Sequence, residues 1–130
     1  MKSVQAQGNR KRAVARAVLT KGTGKVKING ISLQNWSDSL SRLRVIEPFR
    51  IAGNAAEKVN VSVTVNGGGV NGQSDAVRLA VARALVVHDG KLKQSFDDYD
   101  RLLLVADVRR KEVCKPNDSK ARAKRQKSYR

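Results

Sequence analysis

The stretch from residue 59 to residue 88 restricts the fold of this chain more than any other part of the sequence. Four valines alternate with polar residues from Val59 to Asn66, which is typical of a strand with one buried face. A glycine-rich loop, Gly67 to Gly72, follows directly, and from Gln73 to His88 almost every residue is apolar. A helix of that composition must pack against a sheet. The sequence therefore predicts an α+β fold, and 130 residues suit a single domain.

A second strand pattern lies near the start of the chain. Between Arg10 and Lys21, small apolar residues alternate with basic or branched ones, so we expect one strand with a small-residue inner face. The predicted inward residues are Ala13, Ala15, Ala17 and Leu19. Arg10, Arg12 and Arg16 should then share the other face, with the first two about 6.6 Å apart, close to the spacing of backbone phosphates.

Turn and helix signals divide the residues that follow. Lys21–Gly24 is predicted to be a hairpin loop before a short strand that ends at Ile28, and Asn29–Gly30 is predicted to turn the chain. A helix is expected next, closed by Pro48. Its apolar stripe, interpreted as core, consists of Trp36, Leu40, Leu43 and Ile46.

The net charge of +16 at pH 7 is confined to the two ends of the chain. Residues 1–30 carry eight basic side chains and no acid, residues 31–100 are neutral overall, and residues 101–130 have a net charge of +8. A charge of this size is self-repulsive without an anionic partner. Its segregation indicates two contact zones for a polyanion rather than a uniformly solubilising surface.

Apolar residues become rare beyond Arg109, and this change divides the chain. We expect a globular RNA-binding domain over residues 1–108 and an extended basic tail over residues 109–130. Such a tail cannot bury enough apolar surface to fold alone, so it should become ordered on its partner. Before this boundary, residues 92–105 are predicted to contain a short helix and an apolar run from Leu102 to Val105. The sequence does not determine the secondary structure of that run.

Basic residues and glycines near the two ends are the candidate RNA contacts. Those in the body and at the root of the tail are Arg10, Lys11, Arg12, Arg16, Gly67, Gly68, Gly69, Arg109, Arg110, Lys111 and Lys115. Aromatic residues make up only 4% of the chain, so phosphate-backbone contacts to folded RNA fit better than base stacking. A nuclear-localisation or lipid-binding segment would share the basic tail, and a DNA-compacting protein would share both basic ends.

The glycine loop permits more than one interpretation. Gly67 to Gly72 satisfies G-x-G-x-x-G between a strand and a helix, which alone is typical of a dinucleotide-binding enzyme. Too few residues remain after the helix for the repeated βαβ units of such a domain, and no G-K-[ST] is present for a P-loop. Two interpretations stay open: a close approach of backbone amides to an RNA phosphate, and a tight structural turn.

Residues suited to catalysis or metal binding are scarce. His88 is the single histidine, and Cys114, the single cysteine, has no evident base nearby in the sequence. We therefore expect no enzyme activity, no metal site and no cofactor. A lone cysteine indicates a reducing compartment, and no apolar run approaches the roughly 20 residues of a spanning helix, so a cytoplasmic protein without membrane contact is expected.

Three blocks of sequence together resemble the family of the universal ninth protein of the small ribosomal subunit. They are GNRKRAVAR at residues 8–16, GGGVNGQSDAVRLAVARAL at residues 67–85 and KARAKRQKSYR at residues 120–130. The resemblance spans nearly the whole chain. The ending QKSYR is similar to the archaeal and eukaryotic branch of the family.

This resemblance implies a fold, a role and a set of partners. The fold is a small mixed sheet packed by helices, like the second domain of the fifth small-subunit ribosomal protein, with an extended basic C-terminal tail. The role is structural, on the ribosome in the cytoplasm, with binding to small-subunit ribosomal RNA beside neighbouring proteins of the head. The tail is expected to reach transfer RNA in the peptidyl site through Lys120, Arg122, Lys124, Arg125, Lys127, Ser128, Tyr129 and Arg130.

Overall fold

The computed structural model describes residues 2–117 and 120–122 of the chain. Five strands, four α-helices and two 3-10 turns follow one another in that part. The strands are β1 (Val4–Arg10), β2 (Ala13–Lys21), β3 (Val26–Ile28), β4 (Ile31–Ser32) and β5 (Val59–Asn66). The helices are α1 (Ser39–Ala52), α2 (Asn54–Glu57), α3 (Val70–His88) and α4 (Leu92–Tyr99), with 3-10 turns at Leu33–Asn35 and Arg101–Leu103.

The strands form one mixed sheet in the order β1-β2-β5-β3-β4. β1 pairs antiparallel with β2, and β2 pairs antiparallel with β5, whereas β3 lies parallel to β5. The predicted α+β fold with a mixed sheet packed by helices is confirmed. Among the described residues, the helices lack the combination of length and apolar composition that a membrane span requires.

The prediction of a hairpin at Lys21–Gly24 is wrong, because β5 inserts between β2 and β3. Residues around the start of β5 hold this loop instead. The amide of Gly22 donates to the Lys58 carbonyl, and the side-chain oxygen of Asn60 accepts from the amide of Thr23. The turn predicted at Asn29–Gly30 is confirmed. Both residues have positive φ, 51° and 81°, and they join β3 to β4 as a two-residue hairpin turn.

One face of the sheet and helix α3 form the core. The predicted inward residues of β2 are fully buried, and so are nine residues of α3. The helix approaches the sheet so closely that a Cβ atom on Gly8 of β1 would lie 2.6 Å from the amide nitrogen of Ala80. The alanines of β2 and the glycine of β1 therefore let the backbone of α3 lie directly on the sheet.

The strand, glycine turn and helix predicted over residues 59–88 are confirmed, with one adjustment. Helix α3 begins at Val70, three residues before the predicted start at Gln73, so the last glycine of the run lies inside its first turn. The apolar run Leu102 to Val105, whose secondary structure the sequence did not determine, overlaps the 3-10 turn Arg101–Leu103. Leu103 of this turn is buried in the core.

Two predictions about α1 are wrong. The helix continues through Pro48, which is buried, and it ends at Ala52. Its buried face consists of Ser41, Val45, Pro48 and Ala52. Leu40 and Leu43 of the predicted stripe are 56% and 52% exposed, while Trp36 is buried but precedes the helix. Two apolar sets with helical spacing overlap in this segment, and packing against α3 selects the second set.

Candidate nucleic-acid interface

Three segments that are far apart in the sequence meet around one open groove with a volume of about 1180 Å³. They are the turn between β1 and β2, the glycine-rich start of α3, and residues 109–114 beyond the last 3-10 turn. The residues lining it are Arg10, Lys11, Arg12, Gly68, Gly69, Val70, Asn71, Gly72, Arg109, Arg110, Lys111, Glu112, Val113 and Cys114. Eight of these are candidate RNA contacts predicted from the sequence, and the fold brings them together.

The first wall of the groove is a two-residue turn. Arg10 pairs with Ala13 across the hairpin, so Lys11 and Arg12 alone form the turn and both side chains are exposed. Lys11 has φ of 53°, a left-handed conformation that costs a non-glycine residue on the order of 1 kcal/mol. Such a turn projects two adjacent cations away from the sheet.

The second wall is the glycine turn before α3. Gly67 and Gly68 have φ of 78° and 66°, and a Cβ atom on Gly67 would lie 2.5 Å from the carbonyl oxygen of Arg12. These two glycines let the chain turn tightly against the β1–β2 hairpin, which favours the structural-turn interpretation for them. Gly69 has an extended conformation and open space around its α-carbon, and it is the N-cap of α3.

The start of α3 presents the positive end of a 19-residue helix to the groove. The amides of Val70, Asn71 and Gly72 precede the first intrahelical bond, which the amide of Gln73 donates to the carbonyl of Gly69. The first turn contains no acidic residue. These amides can therefore donate to an anion.

Arg10 is positioned differently from the prediction. The hairpin turn reverses the chain after Arg10, so this residue shares the helix-covered face with Ala13, whereas Arg16 pairs with Gln7 and Thr64 on the opposite face. The predicted row of Arg10, Arg12 and Arg16 on one face is therefore wrong. The Arg10 side chain is only 17% exposed.

Arg10 connects the body to the segment that leads to the tail. Its Nη1 donates to Oδ2 of Asp107 at 2.6 Å, and its Nε lies 3.7 Å from a carboxylate oxygen of Asp75. Asp107 also accepts from the backbone amide of Arg109 at 2.9 Å and from its guanidinium at 2.7 Å. The bonds from Arg109, with the charge of Arg10, lower the pKa of Asp107 to about 2.

The contacts that Asp107 makes beside the groove were not predicted from the sequence. The only local signal is an acid standing two residues before Arg109 at the start of a basic segment. Its partner Arg10 lies 97 residues earlier, so the pair depends on the tertiary fold. Asp107 fixes the direction in which residues 109–114 leave the body, and these residues form the third wall of the groove.

Two other arginines of the body are neutralised within it. Nε of Arg78 donates to Glu47 at 2.7 Å, and the same guanidinium donates to Asp100 at 3.0 Å. Arg44 pairs with Asp75 at 3.3 Å. By contrast, none of the cations Lys11, Arg12, Arg110 and Lys111 has a carboxylate within 4 Å among residues 2–117 and 120–122.

The remaining candidates lie elsewhere. Arg16 is exposed on the other face of the sheet, and Lys115 lies 3.7 Å from Glu112, which also accepts from Arg122 at 2.8 Å. Lys120 is exposed. The candidates outside the described residues are Lys124, Arg125, Lys127, Ser128, Tyr129 and Arg130. Within the described part, no three acidic, histidine or cysteine side chains are grouped as metal ligands.

Known proteins are similar to this chain in both sequence and length. The family model described as ribosomal protein S9/S16 matches residues 8–130. Small ribosomal subunit protein uS9 of Methanothrix thermoacetophila is 46% identical over 132 residues, which cover 100% of both chains. The uS9 proteins of Picrophilus torridus and Thermoplasma volcanium are 46% and 47% identical over 125 residues, covering 95% of this chain and 94% and 95% of theirs.

Proposed function

This chain belongs to the ribosomal protein S9/S16 family, and we propose that it binds small-subunit ribosomal RNA through the groove between the β1–β2 turn, the start of α3 and residues 109–114. The family relationship makes it a structural constituent of the small ribosomal subunit and not an enzyme. Its partners are therefore ribosomal RNA and other ribosomal proteins, on the ribosome.

The unneutralised cations of the groove carry the RNA-binding proposal. Lys11, Arg12, Arg110 and Lys111 line the same groove as residues 69–72 at the start of α3, whose first amides are free to donate. Cations and free amides together suit the closely spaced phosphates of folded RNA. Glu112 is the one acidic residue among the described residues that line the groove. Its carboxylate pairs with Lys115 and Arg122, which follow it in the chain.

The finer part of the proposal concerns the location and the tail. We place the protein in the head of the small subunit, beside other head proteins, with residues 120–130 reaching transfer RNA in the peptidyl site. Two observations support this. The chain resembles its family up to the last residue, and residues 120–130 carry six basic side chains and no acid. Residues 109–130 are then a functional unit separate from the folded residues 1–108.

Salt-dependent RNA binding tests the groove. The double variant Lys11→Gln/Arg12→Gln removes two exposed cations from the turn, and Lys91→Gln/Lys93→Gln removes the same charge from exposed positions at α4, away from the groove. Binding to a small-subunit ribosomal RNA transcript is measured against salt concentration. The turn variant should flatten the log–log slope by about one to two units, since each neutralised phosphate contributes somewhat under one unit.

The control variant should leave that slope nearly unchanged. Equal slopes for the two variants would mean that only net charge matters, and the groove proposal would then be wrong. Competition with duplex DNA at constant salt adds a second criterion. Preference for duplex DNA over structured ribosomal RNA would favour a DNA-compacting protein instead.

A further inference from the structure

The face of the sheet opposite α3 is open and mostly polar, with Val14 and Val18 of β2 half-buried on it. Along β1, β2 and β5, the residues between the buried positions are exposed or half-buried. The strand register arranges the exposed side chains in two rows across the sheet. One row is Gln7, Arg16 and Thr64, all exposed. The other is Gln5, Val18, Ser62 and Lys27, of which Val18 is half-buried and the other three are exposed.

The charge of this face has one sign. The five strands contain no aspartate or glutamate, although the chain has 11 acidic residues. Neither Arg16 nor Lys27 has a carboxylate within 4 Å in the part of the chain that the structure describes. An ordinary solvated surface mixes both signs. An acid-free face is instead complementary to a polyanion.

The shape and residue types of this face favour a double-helical RNA segment. The strands carry no aromatic side chain on which an unpaired base could stack. The hydroxyl groups of Ser62 and Thr64 on β5 lie between the two cations, while the amides of Gln5 and Gln7 lie on β1, beyond Arg16. The two rows are about 7 Å apart along the strands. Double-helical RNA presents 2′-hydroxyls and phosphates across a wide, shallow minor groove, which proteins recognise largely by shape.

We propose that this open sheet face, centred on Arg16, Lys27, Ser62 and Thr64, docks the minor-groove side of an RNA helix as a second RNA contact, separate from the groove. The inference rests on the proposed RNA-binding function. Arg16 and Lys27 lie on opposite sides of β5, and strand spacing and register place their α-carbons about 12 Å apart. The two cations can thus contact different phosphates while the hydroxyls of Ser62 and Thr64 lie between them.

Binding to matched duplexes tests this docking. The probes are an RNA duplex of mixed sequence and a DNA duplex of the same sequence, and the proteins are full-length. The unaltered protein should prefer the RNA duplex. Arg16→Gln/Lys27→Gln should lose that preference and flatten the salt slope by about one to two units. Arg16→Lys/Lys27→Arg, which keeps both charges, should restore the slope.

The other two variants separate this inference from the groove proposal. Lys11→Gln/Arg12→Gln should weaken binding of the ribosomal RNA transcript yet keep the preference for duplex RNA over duplex DNA. If Arg16→Gln/Lys27→Gln behaves like Lys91→Gln/Lys93→Gln on both duplexes, the sheet-face inference is wrong, whatever the groove does. If the sheet variant alone is impaired, the groove proposal fails and this one stands. Melting curves confirm that all four variants are folded at the binding temperature.

Discussion

The glycine turn provides a test of how the fold builds the groove. Gly67→Ala adds one methyl group at a position with φ of 78°, where the new Cβ atom would lie 2.5 Å from the carbonyl oxygen of Arg12. The left-handed conformation costs an alanine about 1–2 kcal/mol, and forcing a methyl group into a packed contact costs about 1–3 kcal/mol. The two effects together predict a loss of about 2–5 kcal/mol of unfolding free energy, from a total of about 5–15 kcal/mol for an ordinary domain.

Thermal denaturation followed by circular dichroism measures this loss. For a body of about 100 residues, 1 kcal/mol corresponds to roughly 4–8 °C, so the Tm should fall by at least about 8 °C. At temperatures below the new Tm, where the variant is folded, its affinity for RNA should also be lower, because the methyl group pushes the turn carrying Arg12 away from the start of α3. Both effects follow from one steric contact.

Gly90→Ala is the matched control, because its Cβ atom would meet nothing within 4 Å and its φ is not positive. That substitution should leave the Tm unchanged or raise it slightly, since alanine restricts the unfolded chain. A Tm for Gly67→Ala within about 2 °C of the unaltered protein would show that the turn yields without strain. The structural role assigned to Gly67 would then be wrong.

Three further predictions concern stability, pH and the tail. Val45→Ala should lower the unfolding free energy by about 2 kcal/mol, whereas Leu43→Ala should change it by less than about 0.5 kcal/mol, and urea denaturation checks the register of α1. Because the folded pKa of Asp107, about 2, lies below its ordinary value of 3.8, its stabilising effect is complete above pH 4 and lost as the pH falls toward 2. Asp107→Asn should therefore reduce the acid sensitivity measured by melting across that window, and an unchanged profile would contradict the ion pair. Deleting residues 120–130 should leave the Tm nearly intact but weaken transfer-RNA binding to reconstituted subunits, and equal affinity would refute the tail proposal.

The part of the fold that the sequence predicted well is governed by local patterns. The valines of β5 differ so strongly from the polar residues between them that only one strand face can be buried. The glycines after β5 and the apolar composition of α3 then leave few alternatives to a helix lying on that face. The same kind of alternation correctly predicted that the alanines of β2 point into the core.

The errors arose where distant parts of the chain decide the structure. Lys21–Gly24 contains ordinary hairpin-loop residues, yet the neighbour of β3 is β5, which lies more than 30 residues further along the chain. In α1, two apolar stripes fit a helix equally well, and only the position of α3 determines that Val45 is buried and Leu43 is not. Local periodicity contains no information on either choice.

The candidate site residues divide in the same way. Lys11, Arg12 and the residues from Arg109 to Lys111 were proposed from composition, since clusters of basic residues without nearby acids stand out in a sequence, and the structure places them around one groove. Their convergence on one groove could not be predicted, because it depends on the pairing of Arg10 with Asp107 across 97 residues. The same pairing removes Arg10 from the set of free cations.

The placement of the acids explains how a chain with a charge of +16 maintains a packed body. Asp75, Asp107, Glu47 and Asp100 lie where α1, α3 and the start of the tail meet, and they pair with Arg10, Arg44 and Arg78, which are partly exposed. Among the described residues, Lys11 and Arg12 at the groove and Arg16 and Lys27 on the open sheet face have no carboxylate within 4 Å, and water and a partner can reach them. Since Arg10 and Arg16 lie on opposite faces of the sheet, these two surfaces open on different sides of the body. A straight duplex cannot contact two surfaces on different sides of the body at once, so the occupation of both requires a folded RNA with more than one helix.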